Sequence, residues 1–273
     1  MSYLFNGINA FDSPLFIRKS PTDNTINLLQ TTGISITSTV GTATPLTNLY
    51  DFNATTLVTC TPDGSNNWGL IVDLGVGIEK YCNTLILNNF IPQTQTTINM
   101  YWSDDNITYN TILSVVIPPS SFYNFICLIN SAITTKHRYF QIIFSAIVGT
   151  FYIGEMVFCS DTNLFYISMP AGVQSIVNNY SEKVAFNELI DGGFIGAITS
   201  VKYGATYGYE WLPQSDRDNL KTLKDSRTDF AVIPSPQATN EICHVYWTNP
   251  WNFSFTDKYE NAGYTGTIEV REL

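Results

Sequence analysis

The sequence predicts a mainly β protein, a sandwich followed by a smaller β-rich domain with one helix. Short apolar runs recur along the chain between Gly, Pro, Asn and Asp, and most alternate with a period of two, the mark of a strand with one buried face. Composition agrees, because only 13% of residues are charged and 14% are aromatic, and branched and aromatic side chains pack well on a pleated surface. At 273 residues the chain is long enough for two domains, each with its own core.

Residues 1–44 hold apolar patches at Tyr3–Phe5, Leu15–Ile17 and Ile34–Ile36, which suit either an edge strand or an arm laid over a neighbouring subunit. Residues 45–160 carry sharper signals. NLYDFNATT is a polar loop with Asp51 and Asn53 as turn formers, and Trp68, Leu70, Val72 and Leu74 then alternate with Gly69, Ile71 and Asp73, which makes Trp68 a core residue. Thr84–Asn88, Thr97–Trp102 and Ile112–Ile117 follow as strands, divided by Ile91–Pro92, by a turn at Ser103–Asn106 and by Pro118–Pro119. Arg138–Ser145 and Phe151–Cys159 read as two further strands about a turn at Gly149. Such spacing suggests a β-sandwich.

A linker, SDTNLF, starts at Ser160, and residues 161–273 continue through a turn at Glu188–Gly193 to a strand at Gly204–Trp211 that interleaves Gly with aromatics. A helix is predicted near 215–226, with Ser215 as N-cap, Asp218 at the third helical position, and Leu220 and Leu223 on one face. Four strands close the chain, at Phe230–Ile233, Ile242–Trp247, Trp251–Phe255 and Tyr264–Val270, giving a small barrel or sandwich.

The net charge of −10, with no cluster of Lys or Arg, excludes nucleic acid and anionic membrane surfaces as expected partners. No apolar run approaches the roughly 20 residues of a membrane-spanning helix, so no membrane insertion is expected. The start, MSYLFNGINAFDSP, lacks the pattern of a signal peptide, so Sec-type export is not expected. Cys60, Cys82, Cys127, Cys159 and Cys243 are odd in number and scattered, which favours buried free thiols over a disulfide framework or a zinc site. The Asn-x-Ser/Thr triplets at Asn53, Asn106, Asn179 and Asn252 are the chance yield of a chain rich in these residues.

NLYDFNATT, NNWGLIVDLG, TTINMYWSDDNITYNTI and HRYFQIIFSAIVGTFYIGEMVF resemble, in order and spacing, the motifs of the discoidin domain, also called the coagulation-factor type C domain. The resemblance runs from about Asn48 to Phe158 and implies a galactose-binding-like jelly roll of about eight strands. Phe52 stands where that family usually has Gly, and Cys60 and Cys82 do not bracket the domain as the disulfide of secreted members does. A second, looser resemblance links EWLPQSDRDNLKTLKDSRTDFAVIPSP and the segment from Cys243 to Leu273 to tail-tip and distal-tail proteins of long-tailed bacteriophages. It implies a virion location, other tail proteins as partners, and a ring-forming homo-oligomer.

No catalytic site assembles from the sequence. His137 and His244 lack a neighbouring nucleophile elbow, and His137 reads as a surface residue at a strand start. The carboxylates Glu155, Glu188, Asp191, Glu210 and Asp216 are spread over both domains, with no reason for any two to meet as a glycosidase pair. Asp104, Asp105 and Asn106, and more so Asp51 and Asn53, are hard oxygen ligands placed to hold a structural calcium ion, or simply to form turns. Tyr101, Trp102 and Asp104 are the candidates for an aromatic and polar glycan-binding surface, and Trp247, Trp251, Tyr259 and Tyr264 for a subunit interface. The expected function is a non-enzymatic component of a phage tail tip or baseplate whose discoidin-like module touches host-surface polysaccharide. The alternative is a stand-alone carbohydrate-binding or adhesion module.

Overall fold

The structure is a computed structural model that describes residues 2–6, 14–19, 25–53, 56–119, 123–166, 173–178, 181–188, 194–234, 242–258 and 261–273. Two compact units divide the chain, the first Met1–Phe165 with Ile233–Ile242, the second Tyr166–Val232 with Cys243–Leu273.

The first unit contains β1 (Ser2–Asn6), β2 (Leu15–Ile17), β3 (Ser35–Val40), β4 (Thr42–Thr44), β5 (Val58–Thr61), β6 (Asn67–Asp73), β7 (Thr84–Phe90), β8 (Thr96–Ser103), β9 (Asn110–Ile117), β10 (Tyr123–Ile129), β11 (Tyr139–Ser145), β12 (Phe151–Ile153) and β13 (Glu155–Cys159). One layer is a five-stranded antiparallel sheet in the order β3-β6-β11-β8-β9. The other is four-stranded, β1-β10-β7-β13, with β1 joined parallel to β10, and a short β12-β5-β4 sheet accompanies them. Residues from within the first 44 thus supply an edge strand to each main sheet.

Period-two alternation places the core between the layers. On β11 Phe140, Ile142 and Phe144 are buried while Tyr139, Gln141, Ile143 and Ser145 are half-buried on the outer face. Phe140 meets Phe158 of β13 with centroids 5.2 Å apart, and Phe144 meets Phe90 of β7 at 5.5 Å. Trp68 is fully buried as expected, ringed by Phe144 and Phe151, and its indole N–H donates to the Thr42 carbonyl at 3.0 Å. This is the sandwich that the alternation predicts.

The two strands expected about Gly149 form three, one in each sheet. β11 belongs to the five-stranded sheet, β12 to the three-stranded and β13 to the four-stranded. Gly154 makes the break, for its N–H bonds the Asn88 carbonyl at 3.0 Å, and a Cβ there would stand 2.8 Å from Asn89 Cβ. A larger residue would force the two backbones apart.

The linker expected at SDTNLF is a 3-10 turn, Asp161–Asn163, leading into β14 (Leu164–Tyr166). The second unit follows with β15 (Val173–Asn178), β16 (Ser181–Glu188), β17 (Phe194–Lys202), β18 (Gly204–Leu212), α1 (Gln214–Asp225), β19 (Phe230–Ile233), β20 (Cys243–Trp247), β21 (Ser254–Lys258) and β22 (Asn261–Glu272). β22 is the central strand, bordered by β18 on one side and by β20 and β21 on the other, while β16 and β17 form a separate hairpin. The helix is capped two residues earlier than predicted, by Pro213 rather than Ser215, with no side-chain cap bond. Leu220 and Leu223 are its buried residues, as their spacing requires.

The strand expected at Trp251–Phe255 is Ser254–Lys258 instead. Upstream of it, side chains replace the ladder. Asn252 accepts the Thr267 N–H at 3.0 Å and donates to Thr267 Oγ1 at 2.7 Å, while Asn249 accepts the Glu269 N–H at 2.8 Å and donates to the Thr267 carbonyl at 3.0 Å. The edge of β22 between its two partner strands is therefore satisfied without a strand beside it. The turn expected at Glu188–Gly193 falls largely outside the described residues. All five cysteines are buried free thiols.

Candidate ligand-binding site

One corner of the five-stranded sheet gathers polar and aromatic groups from three strand ends. Pairing aligns Tyr139 at the start of β11 with Asp73 at the end of β6 and with Ser103 at the end of β8. Arg138 grips Asp73 in a fork, Nε to Oδ1 at 2.8 Å and Nη2 to Oδ2 at 3.0 Å, and its guanidinium lies 4.5 Å from the Tyr139 ring centroid. The bond from Arg138 holds the Asp73 carboxyl below its ordinary pKa, which is the expected effect of a charge-assisted pair.

The loop after β8 is built by its own carboxylate. Asp105 accepts the N–H groups of Ile107 and Thr108, both at 2.8 Å, and the Ser103 hydroxyl at 2.9 Å, and those bonds draw its pKa down to about 2. This is a turn-forming role rather than ion binding. The loop ends at Tyr109, whose hydroxyl donates to Asn106 Oδ1 at 2.5 Å. Burial first, then the charges of Tyr139, Asp105 and Asp73, raise the Tyr109 phenol. Tyr101 lies on the same outer sheet face, paired with Gln141, and is half-buried.

Trp102 and Asp104 meet His137. The imidazole stacks on the indole at 3.6 Å between centroids and 12° between planes, its Nδ1 is 3.0 Å from Asp104 Oδ1, and its Nε2 is 2.7 Å from Thr135 Oγ1. His137 is only 5% exposed, so the surface position expected for it is corrected. It is buried because the half-buried Trp102, packed on the core, offers an apolar floor while Asp104 and Thr135 satisfy both ring nitrogens. One face of Trp102 is thereby covered. At the opposite end of the sandwich the described loops Pro62–Asn66, Ile91–Thr94 and Ala146–Thr150 contain no aromatic residue.

A second constellation is internal. Glu155 opens β13 and is fully buried, and burial followed by the nearby Asp51 charge pushes its pKa up to about 10, against the pull of the Phe52 and Asn53 backbone N–H groups. Asp51 accepts the Asn53 N–H at 2.9 Å and the Thr56 hydroxyl at 2.9 Å, and the Asn53 carbonyl accepts the Thr56 N–H at 3.0 Å. The Asp51 and Glu155 carboxyls, the Thr56 hydroxyl and the Asn53 carbonyl are hard oxygen groups of the kind calcium takes. Glu155 thus finds the carboxylate neighbour that spacing did not reveal, and a lone acid in the apolar run EMVFC was the signal for it. Out of contact with solvent, it cannot reach a glycoside.

Of the other candidate carboxylates, Glu210 is exposed on β18, Asp216 lies in the first turn of α1, and Asp191 and the side chain of Glu188 fall outside the described residues. His244 lies on β20 beside Asp229. Trp247 and Trp251 sit together, with centroids 6.1 Å apart, and Tyr264 packs on Phe255 at 5.3 Å, while Tyr259 is outside the described residues. Among the described residues no group of three or more His, Cys, Asp or Glu is poised for a metal, and no helix is long and apolar enough to cross a membrane.

No family model matches the sequence, and no curated protein does. Solved structures do match. A CBM32 module of a GH89 protein from Clostridium perfringens is 16% identical with a TM-score of 0.38, covering 49% of this chain and 98% of that one. A second from that protein, solved with GalNAc-β-1,3-galactose, is 13% identical with a TM-score of 0.36, over 46% and 95%. The family 32 module of C. perfringens NanJ, solved with galactose, is 14% identical with a TM-score of 0.36, over 46% and 93%.

Proposed function

We propose that the first unit is a non-catalytic carbohydrate-binding module whose ligand lies on the Tyr139 corner. The observation that carries this reading is the convergence of half-buried Tyr139 and Tyr109 with the forked Arg138–Asp73 pair, Asn106 and the exposed Asp104. Aromatic rings give a sugar's apolar face a platform, and a few fixed polar groups read its hydroxyls. The Arg138–Asp73 fork holds Tyr139 in place before any ligand arrives, which lowers the ordering cost of binding.

Calcium supports the module from inside. Asp51, Thr56, the Asn53 carbonyl and Glu155 would hold the ion, which supplies the positive charge that a buried Glu155 carboxylate lacks. The virion role, ring formation and tail-protein partners rest on the looser resemblance alone, and no structural feature favours them.

The test is a glycan array with the full chain, followed by titration of the best glycan. Saturable binding that Tyr139→Ala weakens about tenfold is expected, the equivalent of about 1.4 kcal/mol. A silent array from folded protein, or binding indifferent to Tyr139→Ala and Tyr109→Ala together, overturns the reading.

A further inference from the structure

A groove of about 740 Å³ opens on the second unit where the end of α1 faces β20 and the segment after it. That volume lies within the range of about 300–1,000 Å³ typical of sites for small ligands. Trp247 and Trp251 line it, their ring planes 33° apart and both half-buried. The Trp247 indole N–H is shielded from solvent and has no hydrogen-bond partner.

Two cations share the groove. Lys224 lies 5.3 Å from the Trp247 ring centroid and donates to the Asn249 carbonyl at 2.6 Å. Arg227 is exposed and stands apart from the ion pairs of its neighbours, Arg217 with Asp218 and Lys221 with Asp225. It also adopts a φ of +53°, just past the helix end, where glycine is the unstrained choice. The chain keeps a long side chain at this strained φ, where the end of the helix dipole also favours its charge.

We propose that this groove is a binding site, separate from the sandwich, for an oligosaccharide whose sugars carry carboxylates, of the uronic-acid kind. The sugar rings stack on Trp247 and Trp251, the carboxylate meets Arg227 and Lys224, and Asp225 and Thr228 accept and donate to hydroxyls. A purely apolar ligand has no use for the two cations. Nucleic acid needs a run of cations along its phosphates, and the groove is lined by two, Lys224 and Arg227, which suit single carboxylates. The site does not depend on the function proposed for the first unit.

The full chain is titrated with trigalacturonate, following tryptophan fluorescence and heat, with maltotriose as the neutral control. Saturable binding is expected for trigalacturonate alone, weakened about tenfold by Arg227→Ala and more by Trp251→Ala, and weakened further as salt rises. Arg227 is exposed, so its loss leaves folding intact, and Tyr139→Ala at the other corner leaves this titration unchanged. Failure to saturate by about 10 mM, equal binding of maltotriose, or indifference to both groove variants overturns the proposal. It is also overturned if sedimentation shows that the wild-type chain associates and Trp251→Ala separates it, because the groove is then a subunit interface.

Discussion

Glu155 couples burial to charge and, through the proposed calcium site, to a metal. Its folded pKa of about 10 stands above the ordinary 4.5, so the protonated form is the one the fold favours. A raised carboxyl pKa contributes stability that is complete below the unfolded value and is lost as pH rises toward the folded value. In chelator, the melting temperature should therefore fall between about pH 5 and pH 9, and Glu155→Gln should flatten that slope. A calcium ion at the proposed site would reverse the sign, because it would bind the carboxylate and displace the proton. Calcium should raise the melting temperature more at the alkaline end, and at neutral pH a weakly buffered titration should release about one proton per ion, which Glu155→Gln abolishes. A calcium-insensitive melting curve at every pH would remove the ion from this site.

At the scale of elements, the strands legible in the sequence are those with one wet face. β6, β8 and β11 alternate because their outer residues meet solvent, and Trp68 was recognisable as core from that pattern alone. β10 was not foreseen, because Phe125, Ile126, Cys127 and Leu128 are all fully buried and a strand buried on both faces shows no alternation. The candidate site was legible only in part. Tyr101 and Asp104 lie near the proposed corner, but Arg138, Asp73 and Tyr109 come together only through the pairing of β6 with β11 and the folding of the loop after β8. The Asn249 and Asn252 bonds to β22 were equally hidden, since no periodicity records a side chain standing in for a strand. Asn249 is 8% exposed and its bonds to Thr267 and Glu269 are part-buried, so Asn249→Ala should cost about 1–3 kcal/mol in urea unfolding. Asn252 is exposed and water can replace it, so Asn252→Ala should cost less, about 0.5–1.5 kcal/mol. Equal costs would mean that the β22 edge is held by other contacts.

For the whole molecule, the order of the chain matters more than its two-part composition. The first unit is not a continuous stretch, because Ile233–Ile242 belongs to it while the residues on both sides belong to the second. A fragment of residues 1–165 keeps both main sheets, the Trp68 core and the Asp51 and Glu155 pair, and should fold with a β-type circular dichroism spectrum and retain its calcium response. It lacks Ile233 and Ile242, both buried in the full chain, and burying one such side chain contributes about 1.5–3 kcal/mol. Its unfolding midpoint should accordingly lie below that of the first unit in the full chain, by a margin reflecting at least one lost apolar side chain. The comparison follows, in both proteins, the unfolding transition that the proposed calcium site would make sensitive to the ion, since that site belongs to the first unit. A fragment as stable as the full chain would show that Ile233–Ile242 adds nothing to the sandwich, and that the chain is cleanly divisible near residue 165.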